Sequence, residues 1–179
     1  QLAQYVSGNE ARFNIRLAQA LADGNLIDEA INTLMLVEKS NLFYPKSKLM
    51  LAELLTESSR EELAIKHLRD LIDNGTGSFE VYEALGNVYR HREHFELAEI
   101  AYSDALAANI HTDFENKKLW LIYFFRGIAR EQLNNYKQSM MDLRKALEFV
   151  PEQPQVLNYL GYMLIERREN LDEALGMIK

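Results

Sequence analysis

The chain has 179 residues, 47% of them hydrophobic and 26% charged, with 27 acidic side chains against 20 basic ones and no cysteine. These are ordinary values for a globular body, and without cysteine there is no disulfide framework and no thiolate chemistry. A net charge of −7 with no concentrated basic surface argues against a grip on phosphate backbones. No apolar run reaches the ~18 residues of a membrane span, and Gln1 opens no signal peptide, so no membrane insertion is expected in this segment and the compartment stays open. Eight glycines and three prolines are too few for the turns of a β-sandwich or barrel, which leaves a continuous, mostly helical body.

Residues 1–10 read as the end of a preceding helix. From Ala11 the apolar pattern returns after 34 residues, which aligns Leu17 with Leu51 and Leu85, and Ala18 with Ala52 and Gly86. The same shift aligns Leu21, Leu55 and Tyr89, then Ala30, Ala64 and Ala98. Leu34, Leu68 and Tyr102 follow, and Val37, Leu71 and Ala105 complete the set. Copies therefore lie at 11–44, 45–78 and 79–112. After seven inserted residues, 113–119, the pattern resumes at 120–153 with Tyr123, Gly127, Ser139, Leu143, Ala146 and Pro151. A truncated copy, 154–179, holds Leu157, Gly161, Ala174 and Ile178, with one extra residue in the turn between Arg167 and Leu171. A period of this length requires two antiparallel helices per copy that bury their apolar faces only by stacking on neighbours. The fold class is all-α, with nine or ten helices and no sheet.

Local signals agree with the register. Asn25 and Asp28, Ser59 and Glu62, Asn135 and Gln138, and Asn170 and Glu173 have capping-box spacing or a close relative of it, just before each second helix. Gly24 and Asn74-Gly75 fit helix C-termini. Alanines and glycines at positions 18, 52, 86, 127 and 161 fall where first helices must cross a neighbour closely. In the insertion, Thr112 and Glu115 again have capping-box spacing, and no glycine or proline follows before Gly127. This predicts a helix that starts near Asp113 and runs about two turns longer than its siblings; the alternative is a flexible loop.

Chemistry-bearing clusters are absent from this pattern. His91 and His94, with Glu93 between them, fall at a turn between helices and not on one helical face, so they read as exposed turn histidines and not as metal ligands. His67 and His111 stand alone. There is no phosphate-cradling loop and no Ser/His/Asp set, so no catalytic residue, metal or cofactor is predicted. The run Tyr123-Phe124-Phe125 reads as helix packing.

The third copy, with Tyr82, Leu85, Gly86, Tyr89, Ala98, Tyr102 and Ala105, resembles the tetratricopeptide repeat column by column. Ile110 stands in place of that repeat's closing proline, which the fourth copy keeps as Pro151. The first two copies depart further, with Asn14 and Lys48 where a large aromatic is common. The segment 127–179 is also similar to repeats of larger bacterial multi-repeat proteins.

The resemblance implies a right-handed α-solenoid of antiparallel helix pairs whose first helices line a concave groove. Its commonly ligand-facing columns fall on Glu80, Glu83, Asn87 and Arg90 in the third copy. In the fourth they fall on Leu121, Phe124, Ile128 and Glu131, and in the fifth on Asn158, Tyr162 and Ile165. The apolar members of this set are either an exposed interface or side chains covered by neighbouring helices; both readings stand. A clamp for terminal carboxylates, as in co-chaperones of this family, is not expected, because Glu83 stands one turn before Asn87 where lysine is needed. The function implied is a non-catalytic scaffold that binds a helical or extended segment of another protein. Self-association in a homo-oligomer and docking for a larger enzyme are the alternatives.

Overall fold

The computed structural model describes residues 2–108 and 118–178. Among them all regular structure is helical, in two compact units that divide at residues 92 and 93, inside the third repeat. The first unit holds α1 (Leu2–Asp23), α2 (Ile27–Met35), α3 (Tyr44–Glu57), α4 (Glu61–Asp73) and α5 (Phe79–His91). The second holds α6 (Phe95–Ala108), α7 (Leu119–Gln132), α8 (Tyr136–Phe149), α9 (Pro154–Arg167) and α10 (Leu171–Met177).

One expectation changes at the edges of these helices. Residues 2–10 do not form the end of a separate earlier helix: α1 is one unbroken helix from Leu2 to Asp23. The only weak point in that span is Gly8, and a single interior glycine costs about 1 kcal/mol, too little to end a helix that lacks proline. The longer first helix expected for the fourth copy falls partly on residues that are not described. The described helix α7 begins at Leu119 behind a turn at Lys118 and has 14 residues, the same length as α3 and α9. Its expected start near Asp113 lies outside the described residues.

The turns within repeats share one geometry, which differs from a capping box. Asn25, Ser59, Asn134 and Arg168 all have φ near +60°. In each case the left-handed residue donates its N–H three residues back, and the next residue donates five back: Asn25 to Ala22 and Leu26 to Leu21, Ser59 to Thr56 and Arg60 to Leu55. The same pair of bonds runs from Asn134 to Glu131 and Asn135 to Arg130, and from Arg168 to Ile165 and Glu169 to Leu164. This is the Schellman closure of a helix C-terminus, in which orphan carbonyls are satisfied by a left-handed turn. None of the second helices α2, α4, α8 or α10 has a side-chain cap. The polar residues at 25 and 59 therefore mark the turn for another reason: they end the first helix. Glu93 also has positive φ, so the left-handed positions 25, 59, 93, 134 and 168 carry the period and the seven-residue jump in the backbone itself. Asn170 is a further left-handed residue in the last turn, where the sequence has its extra position.

The repeated columns form the core. Ala18, Ala30, Leu34, Leu51, Ala64, Leu68, Ala98, Tyr102 and Ala105 are fully buried, as are Leu143, Ala146, Leu160 and Ala174 in the later copies. Leu17 departs furthest among the leucines of these columns, at 39% exposed. Helix α3 packs against α1, α2, α4 and α5, whereas the main neighbours of α1 among the described residues are α2 and α3, and the column that buries Leu51 leaves Leu17 open. Lys48, in a column that commonly holds an aromatic, is itself buried with its ammonium 5.1 Å from the Tyr44 ring centre. Burial holds that amine below the usual lysine range, and Asp70 opposes the shift.

Close helix crossing accounts for two glycines. A Cβ at Gly127 would stand 3.2 Å from Leu143 Cγ and 3.4 Å from the Ser139 carbonyl oxygen. The buried Ser139 hydroxyl donates to the Gly127 carbonyl at 2.7 Å, a contact that needs α7 and α8 at this short separation. At Gly161 an added Cβ would meet Ile178 Cγ1 at 2.7 Å.

Candidate protein-binding face on helices α7 and α9

The candidate residues fall into two groups, one in each unit. Glu80, Glu83, Asn87 and Arg90 lie half-buried on α5 of the first unit, where Glu80 accepts a hydrogen bond from Ser78 at 2.7 Å. The other seven lie on α7 and α9 of the second unit.

Helix α7 is apolar on nearly every side, and its faces divide by burial. Ile122, Gly127 and Ala129 are buried, while Leu121, Phe124, Ile128 and Glu131 share another face and are half-buried. On α9, Val156, Leu160, Gly161, Met163 and Leu164 enter the core, which leaves Asn158, Tyr162 and Ile165 facing solvent. Tyr162 is 59% exposed and Ile165 37%. The two readings of this patch therefore divide by helix: its α9 part is open, and its α7 part is partly packed.

Phe124 shows what partly packed means. Its ring lies 5.8 Å from Tyr159 in an edge-to-face arrangement, 5.5 Å from Phe125 and 6.4 Å from Trp120. It also packs against the core formed by Leu143, Ala146, Val156 and Leu160. Such pairs are worth about 0.5–1.5 kcal/mol beyond area burial, so Phe124 serves the fold as well as the surface.

Tyr159 was absent from the sequence-derived set, yet it links α9 to α7 by a hydrogen bond. Its hydroxyl donates to Glu131 Oε2 at 3.1 Å, and Gln132 Nε2 donates to the same oxygen at 2.7 Å. Burial, then the Glu131 charge and its hydrogen bond, hold the phenol above the usual tyrosine range, and Glu166 adds to the shift. The signal for it was present: positions 155, 159, 162 and 166 share a helical face with the expected 158 and 165.

A second constellation also went unread. Arg126 closes on Asp142 with two hydrogen bonds, 2.7 and 2.9 Å, and its third contact is Ser103 Oγ at 3.1 Å. Arg130 donates to Asp142 at 2.8 Å and to Glu99 at 2.8 Å. Two arginines and two carboxylates thus neutralise each other between α6, α7 and α8, with the Asp142 side chain only 5% exposed. Buried charge of this kind is tolerable only when paired and fully hydrogen-bonded, and no buried side-chain polar atom among the described residues lacks a partner. The arrangement fixes the register of three helices. Elsewhere, His91 Nδ1 lies 3.5 Å from Glu61. Among the described residues no three His, Asp or Glu side chains converge as metal ligands do, and no helix is long and apolar enough to cross a membrane.

The tetratricopeptide-repeat family pattern matches residues 122–152 of the chain, which spans most of α7 and all of α8. Solved structures extend the likeness over nearly all of it. MamA 41-end from Desulfovibrio magneticus RS-1 is 16% identical with a TM-score of 0.78, over 95% of this chain and 92% of that one. Pseudomonas aeruginosa pilF is 16% identical with a TM-score of 0.80, over 96% of this chain and 74% of that one. A thermophilic tetratricopeptide-repeat protein of Thermus thermophilus is 19% identical with a TM-score of 0.64, over 93% of this chain and 87% of that one. No curated protein sequence matches the chain significantly. The fold is that of tetratricopeptide-repeat proteins, an all-α solenoid of paired helices. At this level of identity the likeness establishes the fold and no individual partner.

Proposed function

We propose that the chain is a protein-interaction scaffold that holds a helical or extended segment of another protein against the α7–α9 face. The observation that carries this reading is the exposure of Tyr162 and Ile165 on a helix whose other side is committed to the core. Paired apolar side chains open to water on one helical face are a common mark of an interface, and tyrosine is a frequent anchor there. On the same two helices Phe124 and Tyr159 pack edge to face, so a partner would meet a surface with ordered aromatic rings. Repeat scaffolds of this fold gain their binding area from such first-helix faces.

The test is selection of a random 12-residue peptide library against the whole chain, followed by titration of a selected peptide. Tyr162→Ala with Ile165→Ala is expected to weaken that peptide by at least about tenfold while leaving helical content unchanged. Equal binding by the double variant would move the site elsewhere on the chain.

A further inference from the structure

Each of the two helices of this face carries one carboxylate: Glu131 on α7 and Glu166 on α9. Glu131 accepts the Tyr159 hydroxyl at 3.1 Å, and Glu166 stands on the same face of α9, two turns beyond Tyr159 and one turn beyond Tyr162, where its charge also raises the Tyr159 phenol. Neither has a cationic partner among the described residues; the donors that reach Glu131 are neutral, Tyr159 and Gln132. The arginines of the same helices are turned to other work. Arg126 and Arg130 are spent on Asp142 and Glu99, and Arg167 lies 4.1 Å from the Tyr136 ring centre and pairs with Glu169. The other paired acids of this unit, Glu148 and Glu173, have their own cations in Lys145 and Arg144. The α7–α9 face is therefore left with two uncompensated negative charges beside aromatic rings.

We infer that this face selects a protein segment that carries a lysine or arginine close to an apolar side chain, with the cation received between Glu131 and Glu166 beside Tyr159. The inference rests on the α7–α9 reading and adds the chemistry of its occupant. Glu131 is held in place by two hydrogen bonds before any partner arrives, so a guanidinium or ammonium meets an oriented acceptor and not a mobile one. The exposed Tyr162 ring, one turn before Glu166 on α9, is open to attract the same cation. An acidic segment would meet like charge on both sides.

The experiment repeats the 12-residue library selection with the wild-type chain and with Glu131→Gln/Glu166→Gln. Glutamine keeps an oxygen for the Tyr159 hydroxyl, and circular dichroism confirms that the variant is folded. Wild-type selections are expected to enrich a lysine or arginine within four residues of an aromatic or large aliphatic residue. The enriched peptide is expected to bind more weakly as sodium chloride rises from about 50 mM to about 500 mM. The double variant is expected to keep the apolar preference and lose the basic one. Basic residues that are not enriched, or that persist with the double variant, overturn the inference while peptides sensitive to Tyr162→Ala leave the interaction face standing. Peptides insensitive to Tyr162→Ala, or no enrichment at all, overturn both. Light scattering that shows a dimer of the chain lost in Tyr162→Ala assigns the face to a second copy and also overturns the inference.

Discussion

Arg126 holds both oxygens of Asp142, Nη2 to Oδ1 at 2.7 Å and Nε to Oδ2 at 2.9 Å, in a site where the aspartate is almost completely removed from water. The pair ties α7 to α8 where Gly127 lets the two helices approach. Removing one partner leaves the other charge buried and uncompensated. Asp142→Ala is expected to lower stability by about 3–5 kcal/mol, read from the urea midpoint. Arg126→Met with Asp142→Leu is expected to recover most of that loss, because Arg130 keeps Glu99 as a partner. Equal loss in the single and double variants would show that the cost lies in packing and not in charge.

The two glycines in helices α1 and α7 predict opposite outcomes for one substitution. Gly127→Ala places a methyl group 3.2 Å from Leu143 Cγ and is expected to cost about 1–3 kcal/mol through overpacking. Gly8 has open space around it and lies within α1, so Gly8→Ala is expected to stabilise by about 0.5–1 kcal/mol. Thermal melts of the two variants should move in opposite directions.

Non-glycine residues at the left-handed turns carry a conformational cost that glycine does not. Ser59→Gly and Arg168→Gly, at φ +58° and +56°, are each expected to raise stability by about 0.5–1 kcal/mol. Ser59→Val is expected to lower it, since a β-branched residue is strongly disfavoured there. A destabilised Ser59→Gly would mean that the serine side chain holds the turn.

His67 gives the first unit a pH dependence. Burial first, then Lys48 and Lys66, hold its imidazole below the ordinary histidine range, with Asp70 opposing them. The unfolded chain therefore takes up the proton at higher pH than the folded one, so stability is lost as pH falls through the ordinary histidine value toward the lower folded value. Denaturation midpoints are expected to fall between about pH 7 and about pH 5, and His67→Gln is expected to flatten that slope. An unchanged slope in the variant would assign the effect to other groups.

The helix pairs, their period and the seven-residue jump are legible in the amino-acid order alone. Those features rest on side-chain size repeated at fixed spacing, and Ala30, Leu34, Ala64 and Leu68 can be buried only in one register. The same pattern marks Gly127 as a close-approach position and sets Phe124 and Tyr162 on first helices. Three matters waited on the packed helices. Whether Asn25 and Ser59 begin a second helix or end a first one depends on the sign of φ, which residue type leaves open, since both uses favour the same polar residues. Whether Leu17 is core depends on which helices are present to cover it. The bridging role of Tyr159 and the pairing of Arg126 with Asp142 depend on contacts between residues 28 and 16 positions apart in sequence. A 34-residue period fixes which helices are neighbours, but the choice of partner for a charged or phenolic group is made by distances of a few ångströms across them, and no spacing along the chain encodes those.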